Sequence, residues 1–235
     1  MAITMAALTG ASSDTDATSY ATASVTLPAN NLILLAVVNS AANGTTNDIP
    51  TVTGTAATWV QINENFFDST GETGRLSLFR TMVGSDATEI ATINTGPNTD
   101  NSCSWSMASF AGVDTSGTNG SGAIVQNAEG SGNSGTALAT LAAFGGAGNV
   151  TYGCIGKAGG ANAVTPGANF VEIHDTASTT PAYRVFSEWF DGQDTTVDGT
   201  FTSTVWGCIA VEIKVAAAGT AVMDIIGSGI IAFAR

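Results

Sequence analysis

Four glutamates of this chain lie in or at the ends of apolar, strand-like segments, where a β-protein can hold catalytic carboxyl groups. They are Glu64, Glu72, Glu172 and Glu188. Glycoside hydrolysis needs two carboxyl groups at a fixed separation on either side of the scissile bond. The sequence alone cannot place two of the four at such a separation. We therefore assign no catalytic residue, and a glycan-cleaving enzyme is the weakest of the functions considered below.

A second acidic group has ligands suited to a divalent cation. Asp191, Asp194 and Asp198 closely follow Glu188, and Ca²⁺ prefers oxygen ligands of this kind. Their spacing differs from that of an EF-hand, however, and aspartate is frequent in turns for conformational reasons alone. We therefore predict no metal ligand and no cofactor.

His174 is the one histidine of the chain, so any Ser/His/Asp triad would have to use it. The Gly-x-Ser-x-Gly turn that presents the serine of many hydrolases does not occur in the sequence. We expect His174 to be a strand-end residue at the rim of a sheet.

The four tryptophans are candidates for a platform on which sugar rings stack. They are Trp59, Trp105, Trp189 and Trp206. Trp105 and Trp206 occur in apolar strands at equivalent positions of the two halves, which predicts packing in the core. Trp59 and Trp189 leave carbohydrate binding open as an alternative.

Charge excludes two classes of partner. Nineteen acidic residues against six basic ones give a formal net charge of −13. Binding to nucleic-acid phosphates or to an anionic membrane surface depends on clustered Lys and Arg. No apolar run approaches the roughly 18 residues of a membrane-spanning helix. The composition therefore predicts neither nucleic acid nor membrane as a partner.

Cysteine usage indicates the compartment in which the chain folds. Cys103, Cys154 and Cys208 each occur inside an apolar run, and an odd number cannot close a complete disulfide framework. The first ten residues lack the basic region and the apolar core of a secretory signal peptide. We predict buried, reduced thiols and synthesis in a reducing cytoplasm.

The second half of the chain repeats the apolar pattern of the first. Residues 31–113 and 149–215 each carry, in the same order, an aliphatic run, a Gly- and Asn-rich loop and further apolar segments, the last containing Trp105 or Trp206. Short apolar runs separated by Gly, Asn, Asp and Thr are typical of an all-β protein. We predict a single antiparallel β-sandwich over residues 1–218, built from two pseudo-repeated halves.

Residue spacing predicts finer features of these strands. The uniformly apolar run 32–38 is typical of a central strand covered on both sides. Around Trp105, apolar residues alternate with serines, which predicts one buried face and one face in water. The serines are Ser102, Ser104 and Ser106. The Gly- and Ser-rich stretch 115–136 predicts surface connections around one short strand.

The last residues, 219–235, form a predicted apolar arm. A dangling apolar segment is costly in water, and the sandwich is already complete at residue 215. We expect the arm to pack on a neighbouring subunit, with folding back onto its own sandwich as the alternative. The candidate interface residues are Val222, Met223, Ile225, Ile226, Ile230, Ile231 and Phe233.

Two motifs and the order of the apolar segments resemble a known family. The motifs are Ser-Phe-Ala-Gly-Val-Asp at residues 109–114 and Tyr-Arg-Val at residues 183–185. Together they resemble jelly-roll proteins encoded mainly by tailed bacteriophages, over about residues 32–215. The resemblance implies a jelly-roll-like fold and a virion structural module, with no catalytic residue to carry over.

We expect from this resemblance a non-enzymatic virion protein, a capsid decoration (cement) or head-attached protein that stabilises the particle through subunit contacts. Its expected partners are other virion proteins, above all the major capsid protein, and copies of itself. Its expected location is the virion, after synthesis in the host cytoplasm. The alternative is a carbohydrate-binding, host-recognition module of a tail or fibre, with a glycan as ligand.

Overall fold

The structure, a computed structural model, describes residues 2–42, 47–69 and 72–217. Throughout these residues it is an all-β protein of antiparallel sheets, which confirms the predicted class. A 3₁₀ turn spans Ser121–Ala123, and no described helix has the length and apolarity needed to span a membrane. The described strands are β1 (Thr4–Ser13), β2 (Ser19–Ala21), β3 (Val25–Leu27), β4 (Leu32–Ala42), β5 (Thr51–Gly54), β6 (Val60–Ser69), β7 (Glu72–Thr81), β8 (Ala87–Glu89), β9 (Ala91–Asn94), β10 (Asp100–Ala111), β11 (Ile124–Thr140), β12 (Val150–Ala158), β13 (Thr165–Pro166), β14 (Val171–Ala177), β15 (Tyr183–Phe190) and β16 (Thr196–Ile213).

Two large sheets form the body of the molecule. The first, called the N-sheet here, has the order β1-β10-β4-β7-β6, and the second, the C-sheet, has the order β11-β16-β12-β15-β14, with β13 paired to β16. Strands β4, β6, β7 and β10 hold the same places in the N-sheet as β12, β14, β15 and β16 hold in the C-sheet. The two sheets therefore share one strand order.

The two sheets pack face to face through a common apolar core. Leu34 and Phe110 of the N-sheet and Tyr152 and Ile209 of the C-sheet belong to this core, in which the rings of Phe110 and Tyr152 meet edge to face at 5.8 Å. Strand β1 lies against β14, and β6 lies against β11. A Cβ atom at Gly156 would lie 2.8 Å from side chains of the opposite sheet, so this glycine permits the close approach.

A second layer, called the N-cover here, lies on the outer face of the N-sheet. It consists of the small sheets β2-β9-β5 and β3-β8. Ile33, Leu35 and Val37 of β4 pack against Ile93 and other apolar residues of this layer. Residues 32–38 are all buried, which confirms the predicted central strand covered on both sides.

The corresponding layer on the C-sheet, called the C-cover here, is made by the second part of β11 and the first part of β16, with β13 and the segment before β14. Val197 packs on the outer face of β12, where a Cβ atom at Gly153 would lie 2.3 Å from it. The prediction of surface connections over residues 115–136 is therefore wrong in part, because residues 124–140 form one strand. Backbone pairing with β16 needs no apolar side chains, and Gly130 lets the strand approach its own Leu138.

The predicted wet face of β10 is also wrong. Ser102, Ser104 and Ser106 are buried and face the C-sheet. The Oγ atom of Ser106 lies 2.5 Å from that of Ser187, and Ser178 donates to Ser102 at 3.1 Å. Two of these serines can lie in the interior because β15 and the residue that follows β14 supply their hydrogen-bond partners.

Candidate functional site

Glu188, on β15, is completely buried on the outer face of the C-sheet. Its Oε2 atom accepts a hydrogen bond of 3.0 Å from the backbone N–H of Gly167, and its Oε1 atom has no hydrogen-bond partner. Burial, assisted by the negative charges of Asp198 and Asp194, raises the pKa of this carboxyl group to about 8. The group is therefore mainly protonated at pH 7 and has no exposed surface that a substrate can reach.

The other predicted glutamates do not form a working pair with Glu188. Glu172 lies opposite Glu188 in the β14–β15 register, but its side chain is exposed whereas that of Glu188 is sealed. Glu64 lies on the N-sheet, where it forms an ion pair with Arg75. The side chain of Glu72 lies outside the described part of the chain. The described carboxyl groups of this set thus share no open cleft.

The three predicted loop aspartates have separate roles. Asp191 is exposed, Asp194 accepts a hydrogen bond of 2.9 Å from the backbone N–H of Thr196, and Asp198 lies within β16. The Asp194 contact is the local turn bond expected of this residue type. Among the described residues, no three His, Cys, Asp or Glu side chains are grouped as they would be in a metal site.

His174 lies within β14 rather than at a strand end. Its Nδ1 atom is 3.0 Å from the Oγ atom of Ser106, which in turn contacts Ser187. Burial lowers the pKa of His174, so the neutral ring is favoured. Because Ser106 is buried between the sheets, this chain of hydrogen bonds links the N-sheet to the C-sheet and presents no nucleophile to solvent.

The basic side chains of the described residues are engaged within the molecule. Arg75 pairs with Glu64, Arg184 with Asp175, and Lys214 with Asp114 at 2.7 Å. Arg80 donates to the carbonyl oxygen of Asn119 at 2.5 Å, and Lys157 is buried with its ammonium group bonded to the Gly159 carbonyl oxygen. The described surface therefore has no cluster of free cations for a polyanion.

The tryptophans do not form an exposed platform. Trp59, Trp105 and Trp206 are buried, and Trp189 is partly buried against the core between the sheets. The predicted core packing of Trp105 and Trp206 is confirmed. Each lies on the second strand of its sheet and packs in the outer cluster beneath its cover.

An apolar groove of about 460 Å³ lies where β16 ends. Its walls include Ile124 and Val125 of β11 and Val215, the second residue after β16. Asn149, also in the wall, donates to Glu212 at 2.6 Å and accepts a hydrogen bond from the Val215 N–H at 3.1 Å. Its polar atoms are thus occupied, and the groove offers apolar surface.

Two exposed apolar side chains lie along the side where β6 and β11 meet, one beside the groove and one farther along β6. Val125 is 46% exposed and Phe66, on β6, is 47% exposed. The two strands are joined here by a hydrogen bond of 2.9 Å from Asn63 to Asn127. Exposed apolar side chains beside an open groove are found at contact surfaces and at ligand-binding grooves.

The predicted interface residues 222, 223, 225, 226, 230, 231 and 233 lie outside the described residues. The description ends at Ala217, two residues beyond Val215 of the groove wall.

Comparison of the chain with protein-family models, with curated proteins and with solved structures finds no match in any of the three.

Proposed function

We propose that this chain is a non-enzymatic structural protein of a tailed-bacteriophage particle, a capsid decoration (cement) or head-attached protein. It stabilises the particle through contacts with the major capsid protein, with other virion proteins and with copies of itself. It is made in the host cytoplasm and resides in the virion. The resemblance of residues 32–215 to phage jelly-roll proteins is the basis for the virion assignment.

The observation that carries a contact function is the apolar groove bordered by Val215, together with the exposed side chains of Val125 and Phe66. Burying one such side chain is worth roughly 1.5 to 3 kcal/mol. A few of them together offset the cost of ordering two partners. In this proposal the predicted arm, residues 219–235, adds its apolar residues to the contacts with neighbouring subunits.

The ionisable groups support a role without catalysis. Glu188 is completely buried, and His174 contacts a serine of the opposite sheet. The described Lys and Arg side chains contact groups of the same chain. A catalytic set would require at least two of these groups at one accessible place. Glu188, His174 and the described cations instead contact other groups of the same chain.

The proposed architecture is a jelly-roll-like sandwich, residues 1–218, made of two pseudo-repeated halves, with residues 219–235 as an apolar arm. The shared strand order of the two sheets supports the repeat. The contacts between the sheets also support the repeat. Strand β1 lies against β14, and their counterparts in the other sheet, β11 and β6, lie against each other.

Co-sedimentation with empty capsids of the encoding phage tests the proposal. We expect saturable binding of the full chain and much weaker binding of Val125→Asp. Leu138→Asp is the matched control, because Leu138 is also 46% exposed but lies on the C-cover, where it pairs with Asp198. Absence of binding by the unmodified chain, or equal loss with both variants, would contradict the proposal.

A further inference from the structure

Each of the two large sheets has two edge strands, and an edge strand has a neighbouring strand on one side of its backbone only. The edges of the N-sheet are β1 and β6, and those of the C-sheet are β11 and β14. Native proteins protect such edges with charged side chains, proline, bulges or a covering segment, because an unprotected edge pairs with another chain. Differences among the four edges therefore indicate where the molecule accepts a further strand.

Three of the four edges are protected by charge or by a neighbour. The edges of β6 and β11 lie against each other, and the side chain of Asn65 donates to the Gly130 carbonyl oxygen of β11 at 3.1 Å. Strand β6 also carries Glu64. Strand β14 carries three ionisable side chains within seven residues. These are Glu172, His174 and Asp175.

Strand β1 has neither charge nor proline to protect it. Its ten residues are Thr-Met-Ala-Ala-Leu-Thr-Gly-Ala-Ser-Ser. It pairs with β10 on one side, and on the other side no hydrogen bond joins its backbone to another described residue. Thr4, Ala6 and Ala7 are exposed, so the free side is open to solvent. The protection that remains is a bulge at Leu8, where the register with β10 shifts.

Charge indicates that the strand which fits this edge is a second copy of β1. Two copies related by a two-fold axis can pair β1 with β1 in an antiparallel ladder, because each offers the same surface to the other. With a net charge of −13, two copies repel each other where their acids meet, whereas β1 brings no acid into the ladder. Asp14 follows the strand directly. The two Asp14 residues then lie at opposite ends of a ladder roughly 33 Å long, beyond the screening length of about 8 Å.

We propose, on the basis of the self-contact in the proposed function, that two copies of this chain pair through β1. The pairing joins their N-sheets into one sheet of ten strands, five from each copy. The outer edges of that sheet are the two β6 strands, which are protected, so growth stops at a dimer. A ladder of this length belongs to the small and reversible class of interfaces.

Sedimentation velocity of the full chain over a concentration series tests the pairing. We expect a reversible equilibrium between monomer and dimer at micromolar concentrations, without larger species. Ala6→Lys places a charge on the free edge and should weaken the dimer about tenfold or more at an unchanged melting temperature. Ala163→Lys, at an exposed alanine of the loop before β13, is the matched control and should leave the dimer unchanged.

Two results would overturn the pairing. One is a full chain that stays monomeric up to about 100 μM. The other is a dimer of unchanged stability in Ala6→Lys. If Ala6→Lys fails to fold, Thr4→Lys, at another exposed residue of the same strand, decides in its place.

Hydrogen exchange identifies the edge that the dimer uses. Dimer formation should slow amide exchange in residues 4–13 and leave residues 171–177 unchanged, because β1 gains backbone partners and β14 does not. A dimer without added protection in residues 4–13 would contradict the proposal. Capsid binding is a separate readout. A monomer that binds capsids contradicts the pairing alone, and a β1-paired dimer that binds no capsid supports the pairing and contradicts the proposed function.

Discussion

Glu89 and Glu188 are both completely buried, one in the N-cover and one on the outer face of the C-sheet, yet their surroundings differ. The carboxyl group of Glu89 accepts hydrogen bonds from Trp59 Nε1 at 2.9 Å and from the backbone N–H groups of Ala56 and Ala57 at 2.8 and 3.2 Å. Glu188 accepts one such bond and leaves an oxygen unpartnered. Burial alone therefore does not show what a carboxyl group does. The number of hydrogen-bond donors around it distinguishes the two glutamates.

The difference follows from how the two covers are attached. The N-cover consists of short strands in separate sheets, so side-chain contacts such as those of Glu89 must hold it in place. The C-cover continues β11 and β16 of the C-sheet, so the backbone ladder holds it. Glu188 can remain poorly satisfied because the layer above it does not depend on it.

The largest expected effect comes from Trp59→Ala. This change removes a buried ring of the N-cover cluster and one donor to Glu89. We expect a loss of about 3 to 5 kcal/mol in the free energy of unfolding, measured by urea denaturation. Phe66→Ala, at an exposed ring, is the control and should cost far less; equal losses would contradict the proposed role of the N-cover contacts.

The two buried glutamates should respond unequally to the same substitution. Glu89→Gln places an NH₂ group among N–H donors and should cost about 1.5 to 3 kcal/mol. At pH 7 the carboxyl group of Glu188 must take up a proton on folding, because its pKa rises from 4.5 to about 8; Glu188→Gln removes this cost, so the free energy of unfolding should not fall. Urea denaturation of both variants measures the difference. A larger loss for Glu188→Gln would reverse the comparison.

The pH dependence of stability should report on Glu188. The pKa of Glu188 rises from a reference value of 4.5 to about 8 on folding, so the native state binds this proton more tightly than the unfolded state does. Its stabilising contribution is complete below about pH 4.5 and is lost as the pH rises through about 8. We expect the melting temperature of the unmodified chain to fall, relative to that of Glu188→Gln, between about pH 5 and about pH 8. Parallel curves would show that Glu188 does not titrate in this range.

The smallest effect concerns the three thiols, which report on three layers. Cys103 packs under the N-cover, Cys208 under the C-cover and Cys154 between the sheets. All three are free cysteines, and all three are buried, as the sequence predicts. Burial raises the pKa of each thiol. We expect slow labelling by a thiol reagent in native buffer, with Cys103 first because the N-cover is held by side chains. Rapid labelling of all three, or of Cys208 first, would contradict this order.

Local sequence patterns predict those parts of the fold that depend on local spacing. The run 32–38 predicts a strand buried on both faces, and the apolar surroundings of Trp105 and Trp206 predict their burial. The serine face of β10 could not be predicted, because its partner Ser187 is 81 residues away in the sequence. The contact between Asn39 and Asp100 spans 61 residues. Neither a motif nor a periodicity encodes such an encounter.

The central claim is that the chain acts through apolar contacts rather than chemistry, and truncation after Ala218 tests it most directly. Sedimentation velocity and melting temperature of the full and truncated chains should be measured together, with capsid binding as a third readout. The account predicts that truncation abolishes self-association or capsid binding and leaves the melting temperature unchanged. A truncated chain that unfolds at a much lower temperature while its assembly stays intact would contradict the account, because residues 219–235 would then cover their own sandwich.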